Sequence, residues 1–422
     1  MPSDTHRTIN AIWRIESAKL IAGLARLVRD VGVAEELAQD AFVAALEQWP
    51  AAGLPQNPGA WLMATAKHRA IDRVRRDKRF DRKQDEIART IENERGASAA
   101  PDLDAKLDDP VGDDLLRLVF TACHPVLSTE ARVALSLRLL GGLTTDEIAR
   151  AFLVPEPTIA QRIVRAKRTL TDKQVPFEVP RGDQLAARLA SVLEVIYLIF
   201  NEGYTATAGD DWLRPALCDE ALRLGRILQG LMPDEPDVHG LAALMEIQAS
   251  RAKTRVSATG EPVLLLNQDR AQWDQLLIRR GLTALSRAER LNASRGPYTL
   301  QAAIAACHAR ARVAANTDWR QIAQLYAELA QVAPSPVVEL NRAVAMSMAF
   351  GPEAGLTIVD ALMNEPSLKG YHLLPSVRGD LLTKLGRWAE ARAEFERAAG
   401  LTRNSRERTL LLERAEGCGK HV

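Results

Sequence analysis

The sequence predicts an all-α protein in which two small helical domains, the second with a helix-turn-helix, are joined by an acidic linker and followed by a large helical domain. Three observations predict it. Apolar residues recur at helical spacing along most of the chain, with little of the two-residue alternation that marks strands. The stretch Leu143 to Leu170, LTTDEIARAFLVPEPTIAQRIVRAKRTL, reads as two short helices joined by a tight turn, the second of them basic. A cationic block from Lys67 to Lys83 is followed at once by a segment of opposite charge.

At 422 residues the chain can hold several domains, each with a core of its own. Its formal net charge of +1 excludes a uniformly cationic nucleic-acid binder, so any DNA affinity has to come from locally concentrated charge. Cys123, Cys218, Cys307 and Cys418 are scattered and form no CxxC pair, which fits reduced thiols without a zinc framework; no metal or cofactor is expected. No apolar run approaches the ~20 residues that span a bilayer, and no charged-then-apolar leader is visible. A cytoplasmic protein with no membrane partner is the expectation.

Residues 9–83 form the first domain. Ile12, Ile15, Leu20, Leu24, Leu27 and Val28 give an amphipathic first helix, and Val33, Leu37, Ala41, Ala44 and Ala45 a second that ends near Trp49 and Pro50. The second helix has an acidic and amide surface, Glu35, Glu36, Gln39, Asp40, Glu47 and Gln48, which taken alone reads as a solvated face. A loop from Gly53 to Gly59 leads into PGAWLMATAKHRAIDRVRRDKR. There Trp61 taken alone reads as core, whereas Lys67, Arg69, Arg73 and Arg76 make a dense cationic surface suited to phosphates.

Residues 84–112 are the acidic linker, with Asp85, Glu86, Asp102, Asp104, Asp108 and Asp109 among its charges and Pro101 and Pro110 in its later part. Residues 113–174 form the second domain. Its apolar runs at Leu115 to Phe120 and Ala131 to Leu139 prop the helix-turn-helix, with His124 and Pro125 as the turn between them. Thr144 or Thr145 caps the first helix of that motif, and Leu153, Val154 and Pro155 interrupt it. In the second helix Ile159, Ile163, Ala166 and Leu170 share one face. The opposite face carries Thr158, Gln161, Arg162, Arg165 and Arg168, donors that can reach base edges and phosphates; the plain alternative is a solvated basic helix.

The order AEELAQDAFVAALEQW, PGAWLMATAKHRAIDRVRRDKR, acidic spacer and helix-turn-helix resembles the extracytoplasmic-function (group IV) sigma factors of bacterial RNA polymerase over about the first 172 residues. The resemblance implies that Glu35, Gln39, Asp40 and Phe42 bind core RNA polymerase. It implies that Trp61, Lys67, His68, Arg69, Asp72, Arg73 and Arg76 serve the minus-10 element of promoter DNA. Thr158, Gln161, Arg162, Arg165 and Arg168 fall on the helix that enters the minus-35 major groove. The linker would thread a cationic polymerase channel, although solubility alone also accounts for its charge.

Beyond a Pro- and Gly-marked segment, Val175 to Asp183, residues 184–295 read as a helical extension. Two polar loops within it gather Asn201, Glu202, Tyr204, Asp210, Asp211 and Trp212, then Asn267, Asp269, Arg270, Trp273 and Asp274. No nucleophile beside a base, metal cluster or phosphate cradle is legible there, so no enzyme is expected, and helix capping explains these residues more simply. Residues 296–418 look repetitive. Gly379, Ala391, Phe395 and Ala398 have the small-and-aromatic spacing of a tetratricopeptide repeat, Ala354, Ile358 and Ala361 echo it, and Trp319 to Val332 supplies an earlier helix. The whole chain thus resembles sigma factors with a long C-terminal helical, tetratricopeptide-like extension. Such an extension implies control through a protein partner or an intramolecular contact. The alternatives are a one-component helix-turn-helix regulator with a C-terminal sensor domain and an enzyme sited in the two loops. Neither accounts for the blocks at Glu35 to Trp49 and Pro58 to Arg79.

Overall fold

Helix α1, Asp4–Val28, turns Ile9, Leu20, Ile21 and Leu24 inward at the three- and four-residue steps that align side chains on one face. It packs on α2, Val31–Ala52, and on α4, Val111–Ala122. Asp30 starts α2 by accepting the Val33 N–H at 2.9 Å. The helix runs past Trp49 and Pro50, where the sequence predicted its end, and stops at Gly53. Pro50 sits exposed in the final turn, and Gly53, at φ 84°, donates its N–H back to the Trp49 carbonyl. Residues 58–71 are helical and make α3.

This computed structural model describes residues 4–71, 111–204, 214–257, 263–292, 294–402 and 404–420. Most of the acidic linker, the cationic block beyond residue 71, and Asp210, Asp211 and Trp212 lie outside the described residues. No β-strand occurs among the described residues, as the all-α expectation requires.

Helices α5 (Thr129–Leu139), α6 (Thr145–Phe152) and α7 (Glu156–Asp172) pack on one another and complete the second domain. His124 lies in the turn between α4 and α5, its Nδ1 accepting the Val126 N–H at 3.1 Å. The chain divides into two compact units, Met1–Val195 and Ile196–Val422. The first unit therefore includes the early turns of α8, Asp183–Tyr204, and not only the two small domains.

The second unit continues with α9 (Pro215–Leu231), α10 (Pro236–Ala249), α11 (Gln275–Leu291) and α12 (Pro297–Arg310). Helix α10 is buried nearly all round, because α9, α11 and α12 pack against it. After it come α13 (Trp319–Val332), α14 (Pro336–Phe350), α15 (Pro352–Leu362), α16 (Leu373–Lys384), α17 (Trp388–Leu401) and α18 (Ser405–Gly419), each packed on the next. Several of these helices start on a proline, whose missing N–H would have had no helical acceptor there.

The tight contact expected between α16 and α17 is present. A Cβ at Gly379 would lie 2.9 Å from the Phe395 ring, and Ala391, Phe395 and Ala398 are all buried. The expected echo in α15 is displaced by one residue. Gly355, Leu356 and Val359 are buried while Ala361 is exposed, because the close approach is made at Gly355, where a Cβ would meet the Ala343 carbonyl oxygen at 2.6 Å.

Candidate nucleic-acid interface

The helix-turn-helix is built by local chemistry. Thr144 Oγ1 accepts the Glu147 N–H at 3.1 Å and Glu147 Oε2 accepts the Thr144 N–H at 2.9 Å, a reciprocal cap that fixes the start of α6. Leu153, at φ 50°, ends it in a left-handed conformation, and α7 begins with Pro157 in its first turn. Ile159, Ile163, Ala166 and Leu170 are buried, as their spacing predicted. Gln161, Arg165 and Arg168 stand exposed on the other side, with Thr158 and Arg162 half-buried at its edge. Arg168 is paired with Asp172 at 3.4 Å.

Sequence reasoning missed Val164. It is 63% exposed between Gln161 and Arg165, off the buried stripe, and an apolar side chain on that face can read a thymine methyl group. The signal was present as the one large aliphatic residue of α7, larger than Ala160, that falls outside the inward spacing.

On the first domain, Trp61 is half-buried against Trp49, with ring centroids 5.3 Å apart at 68°. It is thus in large part a packing residue. Lys67 is half-buried, while His68 and Arg69 are exposed; Asp72, Arg73 and Arg76 lie outside the described residues. Arg69 reaches Asp40 at 3.4 Å, which joins the basic helix to the acidic surface of α2. Phe42 packs on Trp13 with centroids 4.6 Å apart and the rings tilted by 32°.

The two domains meet at Glu35, which is only 2% exposed. Its carboxylate accepts from Arg138 Nε at 2.6 Å and Gln39 Nε2 at 2.6 Å, and Lys167 of α7 pairs with its other oxygen. Arg14 with Glu147, Arg26 with Asp114 at 3.2 Å, and Thr171 donating to Asp30 at 2.9 Å extend the seam. A cleft of about 630 Å³ opens beside it, with Trp13, Gln39 and Phe42 on one wall and Arg138, Thr144 and Glu147 on the other.

Two sequence families match the chain here, Sigma-70 region 2 over residues 15–80 and Sigma-70 region 4 over residues 117–170. The ECF RNA polymerase sigma factor SigK of Mycolicibacterium vanbaalenii is 32% identical over 158 residues, covering 36% of this chain and 74% of that protein. The chain belongs to the ECF RNA polymerase sigma factors. This sigma factor therefore joins core RNA polymerase and directs promoter-specific initiation, and the one-component regulator is not favoured. A probable ECF sigma factor SigI of Mycobacterium tuberculosis (strain CDC 1551 / Oshkosh) is 28% identical over 176 residues, 41% of this chain and 58% of that protein.

The remainder also has relatives. Residues 188–289 match a family of unknown function, DUF6596. An uncharacterized protein of Rhizobium meliloti (strain 1021) is 44% identical over 387 residues, 92% of the sigma factor and 90% of that protein.

The first turns of α8 are clamped to the helix-turn-helix domain. Arg132 of α5 donates to Ser191 and, at 2.9 Å, to Glu194; Ser191 donates to the Cys123 carbonyl at 2.6 Å and Arg188 to the Phe120 carbonyl at 2.9 Å. Within the second unit, Asp269 caps a 3-10 turn and Asp274 caps α11, as capping predicted, whereas Glu202 is held by an ion pair with Arg214 instead of capping a helix. Among the described residues no three His, Cys, Asp or Glu side chains come together to hold a metal, and no helix is long and apolar enough to cross a membrane.

Proposed function

We propose that this sigma factor grips core polymerase through Glu35, Gln39, Asp40 and Phe42 of α2. It reads the minus-10 element with Trp61, Lys67, His68, Arg69, Asp72, Arg73 and Arg76. It reads the minus-35 element with Thr158, Gln161, Arg162, Arg165 and Arg168, joined by Val164. The observation that carries the DNA reading is the exposed row Gln161, Val164, Arg165 and Arg168 on a capped helix-turn-helix whose opposite face is fully packed. Two weak contacts held on one polymerase gain effective concentration, so neither has to bind tightly by itself. The protein works in the cytoplasm and has no turnover of its own.

The helices from α8 onward modulate initiation, with α13 to α18 as tetratricopeptide-like repeats that offer the surface for a protein partner or an intramolecular contact. The clamp of Arg132 on Ser191 and Glu194 supports this, since it ties the first turns of the extension to the helix-turn-helix domain. Transcription in vitro with purified core polymerase, comparing the full chain with one truncated after Val195, tests both parts. The truncation keeps the docked turns of α8. Promoter-specific transcripts that need the added subunit are expected from at least one form, and a change in their yield on truncation. Equal yield and equal core binding would remove the extension from control of initiation.

A further inference from the structure

Tyr204, at the end of α8, and Trp273, just before α11, stand in the second unit among three guanidinium groups. Arg255 lies 3.7 Å from the centroid of the Tyr204 ring. Arg251 lies 5.7 Å from that ring and 5.8 Å from the ring of Trp273, and Arg270 approaches Trp273 to 5.2 Å. Cations and rings thus alternate from Arg255 through Tyr204, Arg251 and Trp273 to Arg270. His308 of α12 adjoins the far end, where Arg270 donates to its carbonyl at 2.9 Å, to that of Ala311 at 3.1 Å and to Thr317 Oγ1 at 2.9 Å.

Two features of this cluster point beyond structure. Trp273 is 3% and His308 8% exposed, yet Trp273 Nε1 and His308 Nδ1 have no hydrogen-bond partner among the described residues. Arg251, half-buried, and Arg270, buried, form no ion pair with a described carboxylate: Arg251 has the Gln248 amide oxygen and two ring faces, and Arg270 three neutral acceptors and one ring face, which offset the desolvation of a cation only in part. Like charges this close also repel, and Arg251 and Arg270 each disfavour the charged form of their neighbours. A bound anion removes both penalties and gives the indole N–H an acceptor.

We propose that the cluster of Tyr204, Arg251, Arg255, Arg270, Trp273 and His308 is a binding site for a small molecule that presents an oxyanion, a phosphate or a carboxylate. Guanidinium forks match either group in two-point hydrogen bonds. Burial of Arg270 and Trp273 keeps out a nucleic-acid backbone, so the ligand is a small molecule and the site is separate from promoter recognition. The extension then carries a ligand-sensing site, whether or not it controls initiation as proposed above, and its test needs no polymerase.

Thermal unfolding of the full chain is followed in chloride buffer and with inorganic phosphate or succinate added at matched ionic strength, alongside Arg251→Gln. Phosphate or succinate is expected to raise the melting temperature by several degrees at concentrations well above its dissociation constant, and whichever acts more strongly identifies the group recognised. In Arg251→Gln the apparent dissociation constant is expected to rise about tenfold or more, the loss of one charge-assisted pair. Without added anion the same variant should melt no lower than the parent, because one of three repelling cations is gone. A purely structural ladder gives the opposite pattern, a lower melting temperature in Arg251→Gln and no response of the parent to either anion beyond chloride. That outcome would overturn the proposal, as would occupation of the site by acidic side chains of the chain itself, which leaves the parent equally unresponsive. Arg251→Lys, which keeps the charge and loses the fork, should bind with intermediate affinity; affinity equal to that of Arg251→Gln with normal helical content would count against two-point recognition.

Discussion

Glu35 of α2, buried, and Arg138 of α5, half-buried, form an ion pair, Nε to Oε1 at 2.6 Å, that fastens the region 2 helices to the region 4 helices. Glu35 is also one of the four residues proposed to grip core polymerase, so the two uses compete for one carboxylate. Arg138→Gln leaves Lys167 and Gln39 on Glu35 and is expected to cost about 2 kcal/mol, below the usual penalty for breaking a buried pair because partners remain. The same change should tighten binding to core polymerase, since Glu35 is released more easily, whereas Glu35→Gln should weaken it. Titration of labelled core enzyme reads both. Equal weakening in the two variants would mean that Glu35 serves the seam alone.

On α7 the division of labour between Arg165 and Val164 can be read from salt and sequence dependence. Arg165→Ala is expected to reduce promoter-dependent initiation most at high salt and to lower the salt slope by about one phosphate contact. Val164→Ser should leave the salt slope unchanged and relax the preference at one base pair, a loss of about 1 kcal/mol of discrimination. Core binding should be unaffected in both, as neither side chain faces the Glu35 seam. Transcription from a set of minus-35 variants at two salt concentrations separates these effects.

The parts of this structure that sequence made legible are those governed by local chemistry. Thr144 and Glu147 stand at the spacing of a reciprocal cap, and the stripe of Ile159, Ile163, Ala166 and Leu170 follows from helical periodicity. The Glu35 seam was not legible, because Glu35 looks like any surface glutamate until Arg138 and Lys167, distant in sequence, close over it. The same holds for Arg251 and Arg255, which stand outside both polar loops in sequence and meet Tyr204 and Trp273 only through tertiary packing. Helix α10 shows why a stripe of one face could not be assigned there: nearly every side is covered.

Gly379 is where the α16 and α17 contact can be tested. A Cβ there would stand 2.9–3.1 Å from three carbons of the Phe395 ring, which is 1% exposed and covered by Arg414 at 4.3 Å from its centroid. The ring has no room to retreat. Gly379→Ala is therefore expected to destabilise the extension by about 1–3 kcal/mol despite the gain in helix propensity. The paired change Gly379→Ala with Phe395→Leu should recover part of that loss. Chemical denaturation of the full chain measures both, and a stabilised Gly379→Ala would show that the two helices separate easily.

His308 gives the extension an acid sensitivity of definite sign. Burial, and then the charges of Arg251 and Arg270, push its imidazole from 6.5 down to about 3. Between those values the unfolded chain takes up a proton that the folded chain refuses, so stability present near neutral pH is lost as pH falls through that window. The slope from one such group approaches about 1.4 kcal/mol per pH unit. His124, lowered to about 4 by burial and Arg188, acts in the same direction over a narrower range in the first unit. His308→Asn removes the titrating ring while its backbone carbonyl still receives Arg270. The variant should start less stable at neutral pH and lose less between pH 6 and 4 than the parent does, with His124→Asn flattening the profile less. Denaturation across that pH range checks it, and parallel profiles for parent and His308→Asn would place the acid sensitivity in the carboxylates instead.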